Sequence, residues 1–594
     1  MLIIKSRIFR YGELLEKFSF IKRIAAYAAL SLPFTFLPAY ASMEKTAVDT
    51  DIRLNQVGYY PNSRKVAVVV NNSGNASATE FQVVRVSDGR AVFSGRLTAA
   101  LTWAESGETG RQADFSILDV QGQYKIVLND KGRSESYPFT VASDIYYDAA
   151  KASMRAYYFQ RCSFELEEKY AGVWARAAGH PDTAAAFHKS SGRDSGSLNS
   201  PGGWYDAGDF GKYMVNSGIT VGTLLAFYEN FPTYFSDKSL NIPESGNNVP
   251  DILDEVRFNL DWMLTMQDKD GGVFFKLTTL TFPGYVMPAD DKGDRYIIGK
   301  STTSALNFAA AMATAGRVYA PFDKAFAQRC AEAAKKAWEW AVKNPNVPFV
   351  NPEDVKTGEY KDVDFKDEFL WASAELFITT KEKRFADFLK GKDITYTGEP
   401  SWQNVHSLAA LSLAAVDNGL PKATTDGIRA SIVKKADTWL EQMDKHLYSI
   451  PDIKFIWGSN SIFANMGIGM VYAYKITGNN RYLFGAADIA DYLLGKNAVG
   501  MSFVTGVGSK AAANPHHRQS VAQKVGAIPG FLVGGPNAGQ QDAKHEVVYK
   551  SKLPAKSYED VYKSYASNEV AINWNAPSTF LFGAVDALMR NIKK

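Results

Sequence analysis

The stretch SPGGWYDAGDFGKYMVNSG, Ser200 to Gly218, sets Asp206 and Asp209 three residues apart among Trp204, Tyr205, Phe210 and Tyr213, with no basic residue before Lys212. Two carboxylates a few ångströms apart resist joint ionisation unless water or donors solvate them, so such a pair can hold and polarise a water molecule. A solvated loop or a calcium site are the competing readings, although the D-x-[DN]-x-[DN]-G spacing of an EF-hand loop is absent. A second cluster, NPHHR from Asn514 to Arg518, lies in a Gly- and Ala-rich stretch that reads as a loop. Its histidines and arginine offer donors suited to sugar hydroxyls or a carboxylate; zinc is the rival, but no HExxH helix accompanies it. A third, YASNEVAINWNAP from Tyr565 to Pro577, places Glu569 among small and apolar residues, where a raised pKa would suit a general acid. The plainer role there is a helix-start glutamate.

One further motif is rejected. GDRYIIGKST, Gly293 to Thr302, has five residues between its glycines where a phosphate loop has four.

The elements that must position these clusters fall into two textures. From about Asp51 to Ser143 the chain carries short β-rich runs, Lys65–Val70, Phe81–Val86, Ala113–Leu118 and Gln123–Leu128, separated by turn signals such as SDGR and NDKGR. That spacing predicts a β-sandwich. After about Asp144 helical periodicity takes over. In PDILDEVRFNLDWMLTMQD the apolar positions 252, 253, 256, 260, 263 and 264 form one stripe, and similar segments recur near 303–319, 323–343, 366–380, 403–416, 427–444, 461–476, 481–494 and 576–592. Periodicity leaves open whether these helices form a solenoid, a bundle or a closed ring.

Bulk properties narrow the function. A chain of 594 residues needs at least two domains. The net charge of +3, without a basic stripe in the mature region, argues against nucleic-acid binding. Lys22 and Arg23 precede the apolar run IAAYAALSLPFTFLPAYA, and Ala39-Tyr40-Ala41 fits a small-x-small cleavage site, so residues 1–41 read as a signal peptide and the protein as secreted or periplasmic. No later segment has the roughly 18 apolar residues of a membrane span. Cys162 and Cys330, the chain's two cysteines, are expected as free thiols.

Taken in order, the landmarks IRLNQVGYYP (Ile52–Pro61), GGWYDAGDFGKY, SFVTGVGSKAAANPHHR, FLVGGPN and SNEVAINWNAP closely resemble family 9 of the glycoside hydrolases, the cellulase family with an N-terminal immunoglobulin-like domain. The resemblance implies an immunoglobulin-like sandwich over 51–143 and a six-hairpin (α/α)6 barrel over 144–594. It implies that Asp209 is the general base, that Asp206 helps hold the same water, and that Glu569 is the general acid. His516 and Arg518 match residues that grip the sugar, and Trp204, Tyr205, Tyr565 and Trp574 are expected to line the sugar slot. The family inverts the anomeric centre, which calls for carboxyl groups about 6.5–9.5 Å apart.

Two departures stand out. Many members carry an aspartate and a tyrosine where this chain has Asn573 and Trp574, a change that bears on subsite preference. Many bind a structural zinc through two cysteines and two histidines. Here Cys162 and His180 match, Gly179 stands at the second cysteine position, and His188 is the remaining candidate, so a zinc remnant is the expectation rather than a full site. No cofactor is needed for the chemistry; structural calcium is common in the family but no ligands are assigned. The resulting expectation is a monomeric endo-β-1,4-glucanase acting on cellulose-like or mixed-linkage β-glucan. An exo-acting β-glucosidase or β-glucosaminidase of the same family is the alternative, and a non-catalytic carbohydrate-binding protein the remote one.

Overall fold

The computed structural model of the protein describes residues 48–72, 77–130 and 132–592; the expected signal peptide lies outside them. Two sheets come first. One orders the strands Ile52–Arg53, Val66–Val70, Glu108–Asp114 and Leu101–Trp103; the other orders Gly58–Tyr59, Phe139–Val141, Gly122–Leu128, Glu80–Arg85 and Ala91–Arg96, with Ser134–Glu135 beside Gly122–Leu128. Val66–Val70 is buried along its whole length. Alternation explains how: Ala67 and Val69 enter the core between the sheets, while Val68 and Val70 enter the core of the helical region.

One expected strand is shorter than its apolar run. The pairing of Glu108–Asp114 stops at Asp114, whose carboxylate accepts the Ser116 N–H at 2.9 Å and turns the chain. Phe115 and Leu118 still fill the sheet core, while Ile117 points to solvent.

Among the described residues fifteen α-helices follow: α1 Tyr147–Phe159, α2 Glu168–Ala171, α3 Met214–Asn230, α4 Asp251–Thr265, α5 Thr302–Val318, α6 Lys324–Lys343, α7 Lys366–Thr380, α8 Lys383–Leu389, α9 His406–Ala415, α10 Lys422–Met443, α11 Ser459–Thr477, α12 Asn480–Leu493, α13 Arg518–Gln523, α14 Tyr565–Asn568 and α15 Ile572–Met589. Composition sorts them. In α5, TTSALNFAAAMATAGRV, nearly every residue is buried, whereas α6 and α10 bury one stripe each and expose the rest. The apolar-all-round helices pack in succession, α3 on α5, α5 on α7, α7 on α9, with α10 between α9 and α11; α11 then packs on α15, and α15 on α3.

The helical region also holds a five-stranded sheet of Ser197–Leu198, Ala185–Phe187, Tyr296–Lys300, Phe274–Thr278 and Lys212–Tyr213, in that order. The rejected phosphate-loop motif is part of it: Tyr296–Lys300 is a strand, and Ser301 and Ser304 form a capping box that opens α5.

The sheets and helices meet through buried polar contacts. Asn55 and Tyr146 donate to Asp491 at 2.7 and 2.6 Å, and Tyr60 donates to Asp586 at 2.7 Å. Glu108 receives Lys556 at 2.9 Å, Arg53 at 3.6 Å and the Tyr448 hydroxyl in a short contact. Because Glu108 is buried, Glu108→Ala leaves Lys556 and the Tyr448 hydroxyl without their anion and Arg53 with Asp51 alone. The expected loss is about 3–5 kcal/mol, read as a fall in the urea midpoint; a loss below about 1 kcal/mol, the worth of an exposed pair, would show that this interface does not hold the sheets to the helices.

Candidate active site

The site is assembled by main chain before any side chain acts. Three loops meet: Asp206–Gly211 ahead of α3, Asn514–Arg518 ahead of α13, and Glu569–Ile572 between α14 and α15. The Ile572 N–H donates to the Asp206 carbonyl at 2.8 Å, and an isolated β-bridge joins Ala207 to Ala571. A second bridge joins His516 to Glu569, with the His516 N–H on the Asn568 carbonyl at 2.8 Å. The Gly208 carbonyl accepts both the Arg518 N–H and its guanidinium at 3.0 Å. Gly208 is required: a Cβ there would lie 2.1 Å from the His516 carbonyl oxygen.

This seam brings together carboxylates 360 positions apart, Asp209 and Glu569. Asp206 is wholly buried; both its oxygens accept from the Asn216 amide at 2.8 and 3.0 Å, and Oδ2 also accepts from the Tyr360 hydroxyl at 2.6 Å. Burial, and then the neighbouring Asp209, push its carboxyl up to about 7. Asp209 Oδ2 accepts the Gly211 N–H at 2.9 Å. Glu569 is held well above the ordinary carboxylate range by burial and the charges of Asp209 and Asp206, with Arg518 pulling the other way. The arrangement sets Glu569, inclined to keep its proton, against a pair of carboxyls able to hold a water, as proton donation on one side and water activation on the other require.

His516 donates Nδ1–H to the Tyr562 carbonyl (2.7 Å) and is pulled down to about 4 by burial and Arg518, so its imidazole is neutral at neutral pH. His517 is buried against Gln160 and Ser520 and stays in the core. Around Glu569 lie exposed or half-exposed rings. Tyr565 meets His516 and Trp457, Tyr285 meets Tyr562 and His516, and the Arg518 guanidinium lies 5.6 Å from the Phe282 ring. Trp574 is half-buried, its ring against Gly458 and Gly534.

Several sequence expectations are corrected. Trp204 and Tyr205 are fully buried and present no face to a sugar. Trp204 donates to Glu255 at 2.9 Å and packs on Tyr157, while Tyr205 pairs with His180 at 2.8 Å; both brace the aspartate loop from behind. Nor do Cys162, His180 and His188 converge as zinc ligands. The His180 nitrogens are taken by Tyr205 and Asp291, and those of His188 by Ser190 and Asp354. Any side chain at Gly179 would collide with Pro288 at 2.3–2.5 Å. Among the described residues no group of three or more His, Cys, Asp or Glu side chains is placed to hold a metal ion, and no helix is long and apolar enough to cross a membrane. Cys162 and Cys330 are buried and unpaired.

Sequence reasoning missed Asn216, Tyr360 and Lys276. Asn216 lay inside the opening stretch, one helical turn along α3; Tyr360 and Lys276 stand in segments with no chemical signature, and only the fold carries them to the aspartates.

Comparisons with known proteins give matches over most of the chain. Residues 146–582 match the family described as glycosyl hydrolase family 9, and residues 47–133 match the cellulase N-terminal ig-like domain. The chain is 40% identical over 592 residues to a xyloglucan-specific endo-β-1,4-glucanase of Bacteroides ovatus, covering 95% of this chain and 99% of that one. It is 33% identical to a cellulose 1,4-β-cellobiosidase of Acetivibrio thermocellus, covering 91% of this chain and 67% of the other. A solved Bacteroides ovatus family 9 structure superimposes with a TM-score of 0.84 at 39% identity, covering 91% of this chain and 99% of that chain.

The raised Asp206 carboxyl makes a stability prediction. Its folded value, about 7, lies above the ordinary 3.8, so folding favours the protonated form. The resulting penalty is absent below about pH 4 and complete above about pH 7. Asn216 Oδ1 has no hydrogen-bond partner, so its amide can flip to accept from an asparagine at 206. Asp206→Asn should therefore raise the unfolding midpoint at pH 8 and do so much less at pH 4.5. Equal shifts at the two pH values would contradict the burial argument.

Proposed function

The chain belongs to glycosyl hydrolase family 9, and from that premise we propose that it hydrolyses internal β-1,4-glucosidic bonds of glucan chains with inversion of the anomeric carbon. The observation that carries the reading is the opposition of Glu569, inclined to keep its proton, to the Asp206–Asp209 pair across one main-chain seam. Glu569 donates its proton to the departing glycosidic oxygen. Asp209 in its ionised form takes a proton from water on the other face of the sugar, while Asp206, oriented by Asn216 and Tyr360, holds that water. His516, neutral, and Arg518 hold the sugar hydroxyls beside the scissile bond.

The helices are read as six hairpins closed into an (α/α)6 barrel, since α15 packs back onto α3 and so brings the first and last landmarks together. The sheets over 51–143 and the barrel over 144–594 are its two domains. Tyr565, Trp457, Tyr285, Tyr562 and Phe282 extend apolar faces outward from Glu569, a surface for sugar rings beyond the bond being cut, which favours internal cleavage of a long chain. Trp574, with Asn573, shapes the same side. The similarity to a xyloglucan-specific enzyme makes xyloglucan, whose backbone is β-1,4-glucan, the first polymer to test. A substrate of that size is met outside the cytoplasmic membrane, in the periplasm or beyond, and neither nucleic acid nor a cofactor enters the chemistry.

Two measurements test the reading. On xyloglucan or carboxymethylcellulose, viscosity should collapse before much reducing sugar appears; steady release of one small product at constant viscosity would mean exo action. Glu569→Gln should lose about 10²–10⁴-fold in rate on glucans yet largely spare a glycosyl fluoride, which needs little protonation, whereas Asp209→Asn should harm both. The first product seen by NMR should be the α-anomer; a β-anomer first would remove Asp209 as the base.

A further inference from the structure

Behind the aspartate pair lies a cation whose hydrogen-bond acceptors are all uncharged. Lys276 is fully buried in strand Phe274–Thr278, directly opposite Tyr213 in the neighbouring strand. Its ammonium donates to the Asn351 side-chain oxygen at 2.7 Å, the Gly358 carbonyl at 2.8 Å, the Thr357 hydroxyl at 3.1 Å and the Thr357 carbonyl at 3.4 Å. All belong to one segment, Asn351–Gly358. The same segment is pinned from the other side, where the Gly358 N–H donates to the Tyr213 hydroxyl at 3.1 Å. Two residues on, Tyr360 reaches Asp206 with its hydroxyl while its backbone sits at a φ of 43°, in the left-handed region. A tyrosine persists there only where its surroundings over-determine it.

Gathering carbonyls needs no charge, and burying an ammonium without a bonded carboxylate is costly. The charge here is answered at longer range. Asp209 and Glu359 face Lys276 and oppose the burial that pulls it down to about 7. Asp206, Glu569, Tyr213 and Tyr360 face Asp209 in turn, and Arg518 faces Glu569.

We infer that Lys276 is a positioning residue for the hydrolytic step: its ammonium latches Asn351–Gly358 so that Tyr360 meets Asp206, and its charge biases the Asp206–Asp209 pair towards the ionised form. The inference rests on the reading of Asp209 as base. It separates two contributions that substitutions can tell apart. Lys276→Gln keeps a donor for the segment and removes the charge; Lys276→Met removes both. Loss of a nearby positive charge raises a carboxylate's pKa, so both variants should move the acid limb of kcat/KM to higher pH.

The experiment measures pH profiles of the full chain on a soluble glucan for Lys276→Gln, Lys276→Met, Tyr360→Phe and the Lys276→Met/Tyr360→Phe pair. Lys276→Met should lower kcat about 10–100-fold, the usual effect of removing a supporting partner, with KM changed less than about threefold. Lys276→Gln should lose less in kcat but shift the acid limb equally. The double variant should be no slower than the worse single one, because both act through one contact. If the lysine variants fail to fold, Thr357→Val removes one acceptor and leaves the buried charge in place; it should lower kcat in the same direction without moving the acid limb. An acid limb unmoved in Lys276→Gln, losses that multiply in the double variant, or a Thr357→Val enzyme with wild-type kcat would each overturn the inference. Asp209→Asn is the control: if it retains hydrolysis, the base assignment itself fails, whereas an inactive Asp209→Asn beside a wild-type Lys276→Met discards only the latch.

Discussion

Everything in the site depends on one close approach of main chain, Gly208 against the carbonyl of His516. That contact leaves no room for a Cβ, and it joins the aspartate loop to the histidine loop. The histidine loop is in turn bridged to Glu569, and the residues just after Glu569 close back on Asp206 and Ala207. The seam is made of backbone hydrogen bonds, which are directional and short, so it holds the carboxyls in place more firmly than long side chains could. Side-chain chemistry can vary around such a seam, but the seam itself tolerates little.

The second constraint is electrostatic. Asp206, Asp209 and Glu569 share a poorly solvated space, and the structure meets the cost partly by withholding ionisation and partly by supplying donors. Asn216, Tyr360 and the Gly211 N–H donate to the two aspartates; Arg518 tempers Glu569. Beneath the aspartate loop the balance is reversed: despite burial, which pushes the other way, Arg295 and Lys212 hold Asp182 down to about 2, and Arg295 also donates to the Phe210 carbonyl at 2.7 Å. A well-compensated ion cluster thus lies beneath a poorly compensated one, as expected where function is traded against stability.

Where a zinc remnant was expected, other contacts hold the chain: Tyr205 and Asp291 occupy the His180 imidazole, and Pro288 fills the space beside Gly179. The buried polar interface between sheets and helices works similarly, as Asn55, Tyr60 and Glu108 commit the sheets to the helices through paired groups that neither part could leave unpaired in its interior.

Local sequence determined a good deal. The change from period-two to period-3.6 patterning separated sheets from helices, and the segment 324–343 matched its apolar stripe closely because a helix reads its own periodicity. The three chemical clusters were legible because their residue types are rare together. Other features were not. α3 carries apolar residues nearly all round and shows no stripe, the five-stranded sheet is built from runs of two to five residues, and the Ala113–Leu118 run stops being a strand at Asp114, whose carboxylate turns the chain. Trp204 and Tyr205 looked like sugar platforms because aromatic type says nothing about which side of a loop faces water. Tyr360 and Lys276 had no signature at all. Which carboxyls meet, which aromatics are exposed and which lysine stands behind Asp209 depend on contacts between residues up to hundreds of positions apart, and such contacts exist only once the chain has closed on itself.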